Sequence, residues 1–582
     1  MPLSLKKLHV VDDSGPYILE RDVDVPLKKS SPQSKDDPLL VRVNVYRPKK
    51  EGCFPVICTY GPYVNPNQQS KHSAWETPDP GYWTAQDYII VRADERGSGN
   101  SPGKLDSMSS ATCDGFVDVI EWAAVQPWST GKVGLLGVSY FAGSQWRAAA
   151  RKPAGLACIV PWEGMSDYYR DRVRQGGILS NRFIKYWYDR QVGSNQYGLG
   201  GRTERSWGTD SLEGVLSTEE LAANRADQAI DTAKYKFRDE EYYRSRDFNL
   251  ADVEVPVLSV ANWGGIHLHL RGNVLGYIGA GSRLKYLRFI TGRHDVPFYY
   301  DEEVVIQKSF LDAFLKGNDT VGWSIPGKLP PISLCLRRGN PGYNNPAAER
   351  NAFLRRDESE WPIARTVYTD YNLRTSMLLQ ESSGDGTDDV GRGIVSYSAP
   401  KGGVTFVTPA LGKDMEVTGH PMLRLSISAE EDQGSVPSEL DIFATLRHID
   451  QEGNEVFYTG AVGDPVPVAR GWLRVSLRAT TKQPTRMSEI IPERDYLSTD
   501  VRPVKAGEVY TVDVEIWPTN VILLPGEKLA LEISSCDSEG SHVFEHNHPE
   551  DRDPAKLKGN NAIHIEPGFD NFLRLPIIPH IG

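Results

Sequence analysis

The chain divides by the period of its apolar positions. Over roughly its first third, short apolar runs of strand length alternate with stretches of helical period. Residues 39–45 alternate with period two, and 56–59, 88–93, 133–136 and 156–160 are compact apolar runs bounded by Gly, Pro or polar residues. Between two of these runs, residues 113–125 place Phe116, Ile120 and Ala123 on one helical face. This strand–helix–strand rhythm predicts an α/β core: a mostly parallel sheet with helices on both faces. The rhythm breaks over 164–246, which is polar and aromatic, has helical patterns at 182–191 and 219–234, and holds no convincing strand. It resumes at 257–260 and 286–291, and a helix over 304–315 closes the unit.

The pattern predicts a helical cap, residues 164–246, inserted between two strands of one sheet. The core is then 1–163 plus 247–325. Such an insertion lies over the strand C-termini, where open α/β sheets bind ligands. Beyond 326 the character changes. Residues 332–337, 422–428, 440–448, 472–477, 509–516 and 528–534 are strand-like, and turns rich in Gly, Pro and Asp separate them. Residues 326–582 are therefore expected to form an antiparallel β-sandwich of about ten strands.

One strand-to-helix junction carries chemistry. The apolar run 133–136 leads into Gly137-Val138-Ser139-Tyr140, and a helical stretch follows from Phe141. A serine on a sharp turn between strand and helix is the nucleophile elbow of α/β-hydrolases. The turn needs a small residue two before the serine, which Gly137 supplies. The usual small residue two after it is Phe141 here. A serine nucleophile needs a base, and in this fold the histidine follows the last core strand. Of twelve histidines, His294 alone directly follows such a run. His267 and His269, one strand earlier, read as packing or substrate-contact residues.

Composition narrows the class. A chain of 582 residues exceeds one compact domain. A net charge of −12 without a basic block argues against nucleic acid and anionic membrane as partners. Six scattered cysteines, with no zinc-ligand spacing, read as reduced thiols of a cytoplasmic protein. Residues 1–13 lack the apolar stretch of a signal peptide, and no apolar run reaches transmembrane length. No metal or organic cofactor is expected, and His542, His546 and His548 read as a solvated loop.

The longer motifs add a resemblance. They include Asp94-Glu95-Arg96-Gly97-Ser98-Gly99 with Ser101 and Gly103, Asp114-Gly115, Glu121-Trp122 and Gln126-Pro127-Trp128. They continue with Gly131-Lys132-Val133-Gly134, the elbow, Gln145-Trp146 and Gly471-Trp472-Leu473-Arg474. With these, the chain resembles the cocaine esterase and X-prolyl dipeptidyl peptidase family of serine hydrolases. The resemblance implies a hydrolase core, a helical cap and a jelly-roll-like C-terminal domain. It also implies an oxyanion hole built from a tyrosine hydroxyl, matched here by Tyr63, and the backbone N–H of Tyr140. Relatives carry an acidic residue shortly after a tryptophan in the loop beyond the first strand after the cap. Here that loop reads Asn262-Trp263-Gly264-Gly265-Ile266, with glycine at the acid position. Glu163, at the end of the neighbouring strand, is the replacement expected, with Asp167 and the cluster Asp301-Glu302-Glu303 as alternatives.

The expected function is cleavage of an ester or amide of a small, hydrophobic substrate through an acyl-enzyme. Ser139 attacks, His294 carries the proton and Glu163 orients it. Trp162, Trp263 and His267 are the candidate substrate contacts. An alternative keeps the fold but changes the reaction to acyl transfer, cyclisation or rearrangement, with Gly264 and Gly265 opening space for a bulky metabolite. A Ser–His dyad and a catalytically silent binding protein also remain open. The expected partners are a small-molecule substrate and a second copy of the chain in a homodimer.

Overall fold

The computed structural model describes residues 5–6, 9–29, 38–63, 75–207, 209–384, 391–538 and 543–579. A single eleven-stranded sheet organises the first half. Its first seven strands are β1 (Val10–Asp12), β2 (Ile18–Pro26), β3 (Leu40–Arg47), β4 (Phe54–Gly61), β5 (Ile89–Asp94), β6 (Ser129–Val138) and β7 (Leu156–Trp162). They run in the order β1-β2-β3-β5-β4-β6-β7, and Val257–Asn262, Lys285–Ile290, Ile332–Leu336 and Leu354–Glu358 continue the sheet. From β5 to Ile332–Leu336 every neighbouring pair is parallel. These strands are buried on both faces, which is why they read as unbroken Val/Ile/Leu runs rather than as alternation. Helices Ser110–Ala124, Tyr140–Ala150, Leu270–Gly279 and Asp301–Leu311 cover the sheet.

One expectation is corrected. Of the strand expected at 332–337, Ile332–Leu336 forms, but it belongs to the first sheet. Leu287 and Arg288 pair in parallel with Ile332 and Ser333, and Leu354–Glu358 adds antiparallel outside them. A strand's own pattern specifies its faces, not its sheet. The cap segment holds the helices Asn181–Trp187, Thr218–Ala223, Gln228–Lys234 and Glu241–Arg244. It also holds a tight hairpin of two-residue strands, Arg174–Gln175 and Ile178–Leu179, too short to leave an alternating pattern.

The C-terminal part stacks a nine-stranded sheet on a five-stranded one, and the pairs within each sheet are antiparallel. Their facing sides share one apolar core built from residues such as Leu425, Ile427, Phe443, Leu446, Leu531 and Ile563. The cap hairpin docks on this unit. Gly176 sits so tightly that a Cβ there would meet the Trp472 carbonyl at 2.2 Å. Beside it, Arg174 pairs with Asp551 at 2.6 Å, both side chains buried, and the half-buried Arg474 pairs with the buried Asp441 at 2.9 Å. Arg271 adds a bridge from the core to Glu515 at 2.7 Å.

Candidate active site

β6 ends at Val138, and Ser139 turns the chain into the helix Tyr140–Ala150. Its backbone sits at φ 62°, ψ −115°, a conformation that costs a non-glycine residue on the order of 1–3 kcal/mol. The turn is held from both sides. Val138 N–H donates to the Glu76 carbonyl at 2.9 Å, and Ser139 N–H is shared between the carbonyls of Trp162 and Glu163 at 3.1 and 3.2 Å. A Cβ on Gly137 would lie 2.7 Å from that of Phe141, so the small residue before the serine is required. The bulk of Phe141 is accommodated on the neighbouring strand: a Cβ at Gly61 of β4 would meet the Phe141 ring at 2.8 Å.

His294 lies in the loop after Lys285–Ile290. Its Nδ1 is 2.9 Å from Glu163 Oε2, and the Glu163 side chain is fully buried at the end of β7. The other Glu163 oxygen accepts from Asn262 Nδ2 at 3.1 Å, and the same amide donates to the Gly292 carbonyl at 2.8 Å. Asn262 thus ties the acid to the histidine loop. On its far side, His294 Nε2 faces a second buried carboxylate, Glu76 Oε1, at 3.4 Å. Burial alone would lower the pKa of His294, but the charges and hydrogen bonds of Glu163 and Glu76 outweigh it and raise the pKa to about 10. Burial pushes both carboxylates upward, with His294 opposing.

A second histidine occupies the position nearest the serine. Ser139 Oγ lies 3.2 Å from Nε2 of His269, at the start of the helix Leu270–Gly279. Its Nδ1 accepts the Met165 N–H at 3.2 Å. The His269 and His294 rings stack with centroids 5.0 Å apart and planes 17° apart. Burial, with the cations of His294 and Arg172, lowers the His269 pKa well below the usual histidine range.

Tyr63 packs edge-on against Tyr140 and Phe141, the two residues after Ser139, with ring centroids 5.9 and 5.4 Å apart. Its hydroxyl accepts the Trp187 indole N–H at 2.6 Å, which leaves its own proton free to donate. Tyr140 has its side chain locked away: its hydroxyl donates to Glu95 at 2.5 Å and accepts from Met108 N–H at 2.9 Å. Its backbone N–H is at the first turn of a helix, where amides lack intrahelical partners and attract negative charge.

The glycine at the family's acid position is explained by the C-terminal unit. A Cβ at Gly264 would come within 2.0 Å of the Thr459 carbonyl. Two residues on, the Ala461 carbonyl accepts the His294 N–H at 2.9 Å. The expectation that Gly264 opens space for a bulky group is therefore corrected: backbone of the sandwich fills it, while a Cβ at Gly265 would lie 3.2 Å from the Asn262 carbonyl and 3.4 Å from Leu270 N. The three proposed substrate contacts are all buried in packing. Trp162 is fully buried and packs edge-on against Phe298, with centroids 5.4 Å apart. Trp263 stacks on Phe289 at 4.0 Å and donates to the Cys335 carbonyl at 2.8 Å. His267 is buried flat against Phe544 at 5.1 Å.

Asp167 caps the cap's first turn and pairs with Arg170 at 2.7 Å, and Glu303 pairs with Arg288 at 2.7 Å, so both carboxylates are engaged elsewhere. His546 is also no solvated residue: it is buried between Asp537 at 2.9 Å and Gln175 at 2.8 Å. His542 lies outside the described residues. Among the described residues no group of three or more His, Cys, Asp or Glu could hold a metal ion, and no helix is long and apolar enough to cross a membrane.

Serines raised from a parallel sheet on a strained turn belong to the α/β-hydrolases, and the protein is an enzyme of that type, a serine hydrolase. Residues 37–275 match the X-Pro dipeptidyl-peptidase (S15 family) model, and 326–574 match the X-Pro dipeptidyl-peptidase C-terminal non-catalytic domain. The chain is 24% identical over 577 residues to the cocaine esterase of Rhodococcus sp. (strain MB1 Bresler), covering 90% of this chain and 92% of that one. A CocE/NonD family hydrolase from Staphylococcus aureus superposes with a TM-score of 0.79 at 25% identity, over 98% of this chain and 96% of that one. An α-amino acid ester hydrolase shares the fold with a TM-score of 0.66 at 16% identity, over 99% and 100% of the two chains. The chain belongs to the cocaine esterase/X-prolyl dipeptidyl peptidase family of serine hydrolases.

Proposed function

We propose that this hydrolase cleaves an ester or amide bond of a small substrate through an acyl-enzyme on Ser139. His294 takes the serine proton and returns it to the leaving group. Glu163 orients His294 at Nδ1, and Tyr63 and the Tyr140 N–H hold the oxyanion. The observation that carries this reading is the buried 2.9 Å contact between Glu163 and His294 Nδ1, which leaves Nε2 as the proton-accepting nitrogen.

His269 is nearer to the serine, but its Nδ1 faces a backbone N–H donor. That contact places the proton on Nε2, so the nitrogen facing Ser139 carries hydrogen rather than a lone pair. A base with the opposite tautomer would lose the Met165 contact. Acyl transfer or cyclisation on a bulky metabolite loses its motive, because the Thr459 carbonyl occupies the space it needed. Six unpaired cysteines, four of them buried, support a reducing, cytoplasmic setting.

A fluorophosphonate probe tests the nucleophile. Mass spectrometry should find the adduct on the peptide carrying Ser139, and Ser139→Ala should abolish it. With an ester that is turned over, labelled water should put heavy oxygen into the acid product. Product without label would favour a non-hydrolytic reaction.

A further inference from the structure

His269 is the polar group at Ser139 that the scheme above leaves unused. Its ring is only 2% exposed, and its two hydrogen-bond contacts are Ser139 Oγ and the Met165 N–H, both at 3.2 Å. The Met165 contact fixes the tautomer, and the 3.2 Å contact aims the remaining N–H at the reacting oxygen. Ring stacking on His294 and the Gly265 carbonyl, which accepts the His269 backbone N–H, hold it there. We infer that His269 is a further catalytic residue, a neutral hydrogen-bond donor to the reacting oxygens that fits the site to esters of acidic alcohols such as phenols.

The inference rests on Ser139 as nucleophile and His294 as base. As the bond from Ser139 Oγ to the acyl carbon forms, the serine proton moves to His294 Nε2 and the carbonyl pair moves onto the oxyanion. On collapse that pair re-forms the carbonyl, and the bond to the leaving oxygen breaks. The leaving oxygen takes this bond's pair and then the proton from His294. His269 keeps its own proton throughout and lends a hydrogen bond. In the tetrahedral adduct the leaving oxygen and Oγ share one carbon, so a donor beside Oγ reaches both. A donor that does not part with its proton helps a leaving group in proportion to the negative charge it gathers. An aryloxide gathers that charge. An amide nitrogen must instead be protonated before it departs, and gains little.

The test uses the full chain, a series of aryl acetates from phenyl acetate to p-nitrophenyl acetate, and p-nitroacetanilide. The wild type should prefer the esters. His269→Leu should lose on the order of 100-fold in kcat/KM for phenyl acetate, as removal of one preorganised donor does, and less for p-nitrophenyl acetate. The dependence on leaving-group acidity therefore steepens. His269→Gln can place an N–H near the Nε2 position but cannot act as a base, and it should recover most of the loss. His269→Asn, too short to reach Oγ, should resemble His269→Leu, and thermal melting confirms folding of each variant. An unchanged leaving-group dependence in both His269→Leu and His269→Asn overturns the inference. So does equal impairment of His269→Gln, or a wild type that takes the fluorophosphonate label yet turns over none of the esters. Absence of the label together with active Ser139→Ala would instead defeat the nucleophile assignment. An active His294→Gln beside a dead His269→Gln would make His269 the base and reverse the two roles.

Discussion

Two imidazoles stacked 5.0 Å apart experience opposite fields. His294 lies between the carboxylates of Glu163 and Glu76, which raise its pKa to about 10. His269 has a backbone N–H on one side and a serine on the other, and burial keeps it neutral. Proximity to the serine and fitness as a base are thus separate properties here. Tautomer and charge come from the far side of each ring. The nearer histidine presents a hydrogen, and the farther one has the carboxylate that a proton acceptor needs.

The difference can be broken by substitution, starting with Ser139, the proposed nucleophile. Ser139→Ala should lower turnover by as much as about 10⁶-fold, with the melting temperature close to wild type. Residual turnover near wild type would remove the common point of both rings. Glu163→Gln should cost about 10⁴-fold, because an amide can hold His294 in the wrong tautomer. The comparison arms are Asp167→Asn and Glu302→Gln. A steep fall in either of these, with Glu163→Gln mild, would move the acid elsewhere.

Restoring a carboxylate at the family's position should not rescue that loss. Gly264→Asp drives a side chain into the Thr459 carbonyl, so Glu163→Gln/Gly264→Asp should stay inactive and lose a further 1–3 kcal/mol or so in chemical denaturation. Recovered turnover would show that the loop yields.

The smallest effect is a shift in pH. In the free enzyme the neutral, proton-accepting form of His294 appears as pH rises toward 10, so kcat/KM should climb with pH on that limb. Glu76 favours the cation, and Glu76→Gln should move the limb down by about one unit. The pH profile of kcat/KM reads this directly, and an unmoved limb would take Glu76 out of the electrostatics of His294.

The sequence shows local features well and contacts between distant segments poorly. The elbow is visible because Gly137 and Ser139 fall between an apolar run and a helical period. His294 and Glu163 are visible because each directly follows a strand of a parallel sheet, and such strand ends open on one edge. His269 is separated from its strand by a turn, Trp263 to Leu268, and only the packing of that turn brings its ring to Ser139. Glu76 leaves no periodic signal, and Asn262 reads as a strand end, although it ties Glu163 to the Gly292 carbonyl. Gly264 is the clearest failure. Its neighbour Thr459 is almost 200 positions away, and a missing side chain reads as empty space until the segment that fills it is seen.

The segment from Thr459 to Ala461 has a bearing on when this site becomes complete. During synthesis the N-terminal part emerges first, carrying the strand, the turn and the serine. The backbone that fills the space at Gly264 and takes the His294 N–H arrives more than 160 residues after that histidine. A partly made chain therefore carries Ser139 and His294 before the backbone that accepts the His294 N–H has been made. If Ser139 and His294 act as proposed, the unit made last completes the support of a site carried by the unit made first.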